Sequence, residues 1–331
     1  MTRPPWLTSP WLLPALLLPL ILLSLLLGRY PQPPGMSVRL LWEDELAWEL
    51  VWNLRLPRVC AAVLLGMALG GGGAVLQMLF RNPLVEPGFL GVSQGAAFGA
   101  ALAILFFKGA IVLLPLSAGL FALGGLALSY TLARHLKFGG WIMRLILAGI
   151  VVSALFASGL GLLKSMADPR RELPELTFWL LGGLWGVSWS DVQRMVVIVV
   201  PALVVIGLMR WRISILALDE ATAFSLGVAA GRERALLVVA AVAATAAVVS
   251  VAGMVGWIGL LVPHIARRLL GADARHSLPG AMWLGGIFAL GCDDLARFLT
   301  AGEIPLGILT SLIGAIGFTV ILLRGAKLTR E

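Results

Sequence analysis

Charge is what this chain has least of. Only 13% of its 331 residues are charged, while 60% are hydrophobic. A soluble domain carries roughly a quarter charged residues, because water must wet its surface. Too few polar residues are present here to skin a core of this size. Lipid is therefore the solvent for most of the surface, in keeping with a mean hydropathy of +0.97. Cysteine is nearly missing too. Cys60 and Cys292 stand alone, in or beside apolar stretches. That excludes a disulfide framework and a CxxC metal or redox motif. The three histidines, His135, His264 and His276, are scattered and form no metal-ligand cluster in the sequence. No Gly-Lys pair occurs, so a Walker A phosphate loop cannot be matched, and there is no GxGxxG dinucleotide motif. If ATP drives this molecule, another polypeptide binds it.

The basic excess, 25 Lys and Arg against 17 Asp and Glu, does not point to nucleic acid. These residues form no block or single face. They sit in the breaks between apolar runs, where membrane topology places them.

The apolar runs dominate. A spanning helix needs ~20 mostly apolar residues. Ten candidates are read at roughly 10–28, 57–80, 91–107, 111–133, 142–163, 190–209, 235–254, 256–270, 279–297 and 303–323. The eighth is short and reads as broken or tilted. Residues 177–189, rich in Gly and Trp, read as a half-helix or re-entrant piece. The runs are too long for barrel strands and lack period-2 alternation. Arg3 before an apolar run resembles a signal peptide, but residues 10–28 are long for one and no A-x-A site follows, so a retained helix is expected. With both termini cytoplasmic, 15 of the 25 basic residues fall inside and 11 of the 17 acidic residues outside. The positive-inside rule supports that orientation.

Glycine is abundant, at 39 residues. Gly66 and Gly70, Gly91, Gly95 and Gly99, and Gly182 and Gly186 follow the small-xxx-small spacing that lets helices approach closely in lipid. Packing within the chain is the preferred reading over a dimer seam.

Gly91-Val92-Ser93-Gln94-Gly95 matches the G-x-S-x-G elbow of esterases. No predicted strand precedes it, and that chemistry requires a strand-to-helix turn. Carboxylates within spans are few, with Asp293 and Asp294 the nearest exceptions. An ion-coupled pump usually needs such groups. The loop between spans six and seven runs Asp219, Glu220, Ala221, Thr222, Ala223, Phe224, Ser225, Leu226, Gly227, Val228. Asp219 suits an N-cap, Glu220 the first turn and Gly227 the end of a short amphipathic helix. Such a helix can dock in a partner groove or lie on the membrane.

Taken together, the motifs resemble the permease family that imports ferric siderophores, haem and vitamin B12. The resemblance rests on Leu54–Arg58, on Gln77 with Arg81-Asn82-Pro83-Leu84, and on Pro87–Ser93 with Gly95-Ala96. It extends through Phe178–Leu184, Gly256–Arg267, Asp294–Arg297 and Ile304–Thr310. One departure is Gly314-Ala315-Ile316-Gly317-Phe318, where the family has Gly-Ala-Pro-Phe-Phe. Loss of the proline removes a possible kink.

The resemblance implies an all-α fold of about ten transmembrane helices, like the permease of a type II ABC importer, in one domain over residues 1–331. It implies a homodimer in the bacterial inner membrane. Two ATP-binding cassette subunits would sit on the cytoplasmic side and a substrate-binding protein outside. This chain would bind no cofactor, with ATP and Mg held by the partners. By match, Asp219 to Val228 would receive ATPase motion. Arg55, Arg58 and Arg297 would dock the binding protein, and the topology independently places them outside. His264 reads as a hydrogen-bonded structural residue. Ala148, Gly149, Ser153 and Ser158 on span five are pathway candidates by analogy. The cargo is read as a metal chelate. Molybdate or tungstate in the same machine, or an ion-coupled transporter, are the alternatives, and a non-transporting scaffold is a third.

Overall fold

The computed structural model of the chain describes residues 12–33, 35–107, 112–216, 225, 230–300 and 302–328. Helices α1 to α7 are Leu12–Leu26, Leu40–Glu43, Glu45–Leu50, Leu56–Leu79, Val92–Phe107, Leu113–His135 and Trp141–Met166. Helices α8 to α14 are Glu172–Leu181, Trp189–Leu208, Arg210–Leu216, Ala230–Ala252, Ile258–Leu270, Ala274–Phe298 and Leu306–Leu328. This dominance of helix follows from backbone that must satisfy its own hydrogen bonds in hydrocarbon. Ten of these fall on the ten spans read from the sequence: α1, α4 to α7, α9 and α11 to α14. Among the described residues six segments, the first being the continuous Glu45–Leu79, are long and apolar enough to cross a membrane. Of the others, α1, α5 and α12 are shorter, at 15, 16 and 13 residues. Helix α13 has 25 residues but carries Asp293, Asp294 and Arg297 at its end.

The differences from expectation are local. No strand was expected, yet Leu27–Gln32 is extended, with bridges from both ends to Gly35. Before α4 the chain forms α2 and α3, then a π turn over Val51–Arg55. Pro57 has no N–H to give and its ring crowds the preceding turn, which widens to absorb it. Beside this turn Trp48 stacks on Trp52, with centroids 6.1 Å apart, and Trp189 packs tilted against Trp52 at 5.7 Å, a cluster of the kind that forms an aromatic belt at a lipid–water boundary. The half-helix read at 177–189 is instead α8, Glu172–Leu181. It stops where Gly182 takes φ +69°, and Gly186 follows at +65°. Only glycine takes such angles without strain. Helix α14 runs unbroken through Ile316 and Gly317.

Helix α4 is the axis of packing and touches α9, α11, α12 and α13. Its glycines make this possible. A Cβ on Gly66 would lie 2.0 Å from the Gly285 carbonyl oxygen, and one on Gly73 2.0 Å from that of Gly259. Gly70 meets Ala281 in the same way, at 2.4 Å. Gly95 and Gly99 bring α5 against the Phe121 and Ser117 carbonyls of α6. The Gly66–Gly70 and Gly91–Gly95–Gly99 spacings are therefore consumed within the chain, whereas Gly182 and Gly186 lie in the non-helical stretch after α8, where a Cβ on Gly186 would meet no atom within 4 Å among the described residues.

Candidate functional site

Three helix ends meet inside the bundle. Helix α8 stops at Gly182, α11 stops before Gly253 (φ +67°), and α14 begins at Leu306. A helix end leaves backbone groups without intrahelical partners, and each end here supplies them to the next. Gly183 N–H donates to Ala252 O at 2.8 Å, and Gly307 N–H to Gly182 O at 3.4 Å. Gly307 also packs against the Leu181 and Met254 carbonyls, where a Cβ would sit 2.3 and 2.7 Å away. The break before α12 holds Trp257 at φ +70°, a left-handed angle that costs a non-glycine residue about 1–2 kcal/mol. Such strain gathers at functional sites.

Hollows flank this junction. One, of about 670 Å³, is lined by Glu86, Phe89, Leu180, Leu181, Met254, Gly256, Trp257, Leu260, Gly307, Ile308 and Ser311. A second, of about 290 Å³, shares Glu86, Phe89, Met254 and Gly256, and adds Ser93, Gln94, Ser153 and Thr245. Glu86, Ser93, Gln94 and Ser153 have no hydrogen-bond or ion-pair partner among the described residues, so their polar atoms face the space. Sequence reasoning did not single out Glu86. Its signal was an acid between Pro83 and Pro87, in a segment that looked like a surface loop but enters the bundle.

Of the four pathway candidates, Ser153 lines the smaller hollow. Ala148 is fully buried, and Gly149 packs on the Phe89 carbonyl, with Cβ space of 2.6 Å. Ser158 lies exposed on another face of α7, its hydroxyl donating to Ala154 O at 2.9 Å. The G-x-S-x-G match forms no elbow. Gly91 (φ +84°) follows a 3-10 turn over Pro87–Leu90, and Ser93 lies in the first turn of α5.

The three arginines of interest converge at one end of the bundle, among acids. Arg58 presents Nε and Nη2 to Asp293 at 3.0–3.1 Å, and Nη1 to both oxygens of Glu303 at 2.8 and 3.0 Å. Arg297 sits 3.3 Å from Asp293 and bonds Asp294 and the Ser24 hydroxyl. Arg55 donates to the Leu25 and Leu26 carbonyls at 2.9 and 3.1 Å, closing the C-terminus of α1. Asp293 is fully buried, whereas the Glu303 side chain is 36% exposed.

The loop read as Asp219 to Val228 lies outside the described residues except for Ser225, which is helical and exposed. Its flanks are pinned. Arg212 pairs with Glu233, Arg234 donates to Leu216 O at 2.9 Å, and the Arg275 guanidinium lies 3.7 Å over the Trp211 ring. His264 lies in a packed environment: its Nδ1 is 3.3 Å from Arg267, and its ring meets Phe318 edge-on. Arg267 in turn donates to Gln77, which donates to the Gly259 and Leu260 carbonyls.

Comparison with known proteins agrees with this architecture. The FecCD transport family pattern matches residues 16–324. The chain is 36% identical over 305 residues to the molybdate import system permease MolB of Haemophilus influenzae, covering 89% of each chain. It is 38% identical to the vitamin B12 import system permease BtuC of Klebsiella pneumoniae, over 88% of this chain and 86% of that one. A solved ABC transporter assigned to the metal-chelate type, in an inward-facing conformation, superposes with a TM-score of 0.88 at 36% identity, over 95% and 98% of the chains. The chain belongs to the FecCD transport family, as a multi-pass permease subunit of an ABC importer.

Proposed function

We propose that this chain, as a single domain over residues 1–331, carries a metal chelate such as a ferric siderophore, haem or cobalamin into the cytoplasm by alternating access. The observation that carries the reading is the junction of three helix ends around unfilled space. A scaffold would pack that volume, since protein interiors close voids larger than a water molecule. Two copies assemble in the bacterial inner membrane with both termini in the cytoplasm, and the faces bearing the hollows line a shared path. The chain makes no covalent bond and holds no ATPase site. ATP and Mg are bound by two cassette subunits that engage the Asp219–Val228 segment. Its pinned flanks suit that role, because a rigid mount transmits displacement. An extracytoplasmic binding protein docks on the end bearing Arg55, Arg58 and Arg297. Transport then follows from differential affinity of partners for two conformations.

Similarity to the molybdate importer subunit MolB keeps the oxyanion as a second reading of the cargo. The test is uptake into proteoliposomes that hold the chain with its ATPase and binding protein, offered siderophore, haem, cobalamin and molybdate, with and without ATP. ATP-dependent uptake of one chelate is expected. Molybdate uptake alone selects the second reading. Flux driven by an ion gradient without ATP overturns both.

A further inference from the structure

The arginine end is already neutralised from within. Arg58 and Arg297 are paired with Asp293, Asp294 and Glu303, and the Arg55 guanidinium is taken up by the Leu25 and Leu26 carbonyls, so each of the three is already engaged within the chain. The three acids are not equivalent. Asp293 is fully buried and Asp294 is 11% exposed, and both belong to α13. Glu303 stands apart on the exposed link between α13 and α14, and reaches across to a single nitrogen of Arg58. Removing Asp293 would strand a buried charge, an expensive change. Moving Glu303 exposes only Nη1 of Arg58 and returns a carboxylate to water.

We propose that Glu303 is an internal stand-in for an acidic side chain of the docking partner. This rests on the docking reading above and adds to it. A carboxylate of the binding protein reaches Arg58 by taking the place of Glu303, while Asp293 keeps the guanidinium oriented through Nε and Nη2. The exchange conserves the ion pair, so docking is reversible rather than irreversibly tight. It also carries information inward. Glu303 precedes Gly307 by four residues, Ile304 N–H is held by Ala296 O at 3.1 Å, and Gly307 joins the junction that lines the larger hollow. Releasing Glu303 frees the entry to α14 at the point where the path is built.

The experiment measures the association rate and Kd of the system's extracytoplasmic binding protein for the permease–ATPase complex in nanodiscs. Glu303→Gln leaves Arg58 without its surface partner. Binding should tighten about tenfold, chiefly through a faster association rate that is more sensitive to salt. Glu303→Asp, which keeps the carboxylate, should stay near wild type. A separate arm attaches a bulky maleimide to Thr300→Cys, an exposed position on the same link. If the label blocks docking while Glu303→Gln binds no tighter than wild type, the arginine end is the docking face and the stand-in is wrong. If the label leaves docking intact, the docking reading fails and the stand-in fails with it.

Discussion

Helices α4 and α14 have almost the same length, 24 and 23 residues, and both are strongly apolar. Their fates differ. Within the segment that contains α4, 78% of the most apolar stretch is buried, against 22% for α14. The difference lies in where their glycines fall. Those of α4 repeat on faces that meet α12 and α13 backbone to backbone, whereas α14 offers Leu312, Ile316, Val320 and Leu323 outward. In lipid an apolar side chain gains little from burial, so close backbone approach decides which helix becomes central. Hydrophobicity marks what enters the membrane, and small residues mark what packs there.

The comparison breaks most severely at Gly66. Gly66→Leu forces a branched side chain into the Gly285 carbonyl, 2.0 Å from where its Cβ must lie. Overpacking alone costs about 1–3 kcal/mol, and here both partners are backbone that cannot turn aside. Loss of folded protein is expected, measured as monodisperse yield in detergent. A well-folded Gly66→Leu would show that α4 and α13 are not joined this way.

The next largest effect is at the arginine end. Arg58→Gln leaves Asp293 buried with Arg297 as its remaining cation, and breaking a buried pair costs about 3–5 kcal/mol. Thermal melting should fall clearly. Arg39→Gln, which breaks a pair whose side chains are 83% and 52% exposed, should shift it by less than the roughly 1 kcal/mol an exposed pair supplies.

These two sites differ in how far the sequence exposes them. The spans were readable because apolar runs are a one-dimensional signal, and the glycine repeats announced close packing without naming a partner. Asp293 and Asp294, four and three residues before Arg297, were legible as helix neighbours. The pair from Arg58 to Asp293 joins residues 235 apart, and nothing local encodes it. Glu86 was missed for the same reason, since its segment reads as a loop and only the tertiary fold carries it inward. Ala148, Gly149 and Ser158 show the opposite limit. Small residues on one helix cannot reveal which of them face the hollow, and Ser153 is the one that does.

Ser153 and Ser158 therefore set the proposed path against the periphery on a single helix. Ser153→Leu fills part of the smaller hollow and should lower uptake about tenfold, equivalent to ~1.4 kcal/mol in the limiting barrier, with melting little changed. Ser158→Leu, on an exposed face, should leave uptake near wild type. Equal losses for both would mean that the hollow is not on the path.

The smallest effect sharpens the opening contrast from its other side. Gly161 lies within α7, and a Cβ there would meet no atom within 4 Å, unlike the glycines of α4. Its backbone is helical, so alanine fits without strain and restricts the unfolded chain. Gly161→Ala should therefore raise stability by up to about 1 kcal/mol, the helix preference of alanine over glycine. The sign of the shift matters more than its size. Destabilisation would mean that another surface presses on α7 at this point, and a second copy of the chain is the surface that the proposed dimer would bring there. Repeating the melt in the monomeric and dimeric fractions then decides the matter: a penalty confined to the dimer places Gly161 in the seam between copies, and a gain in both places it against lipid.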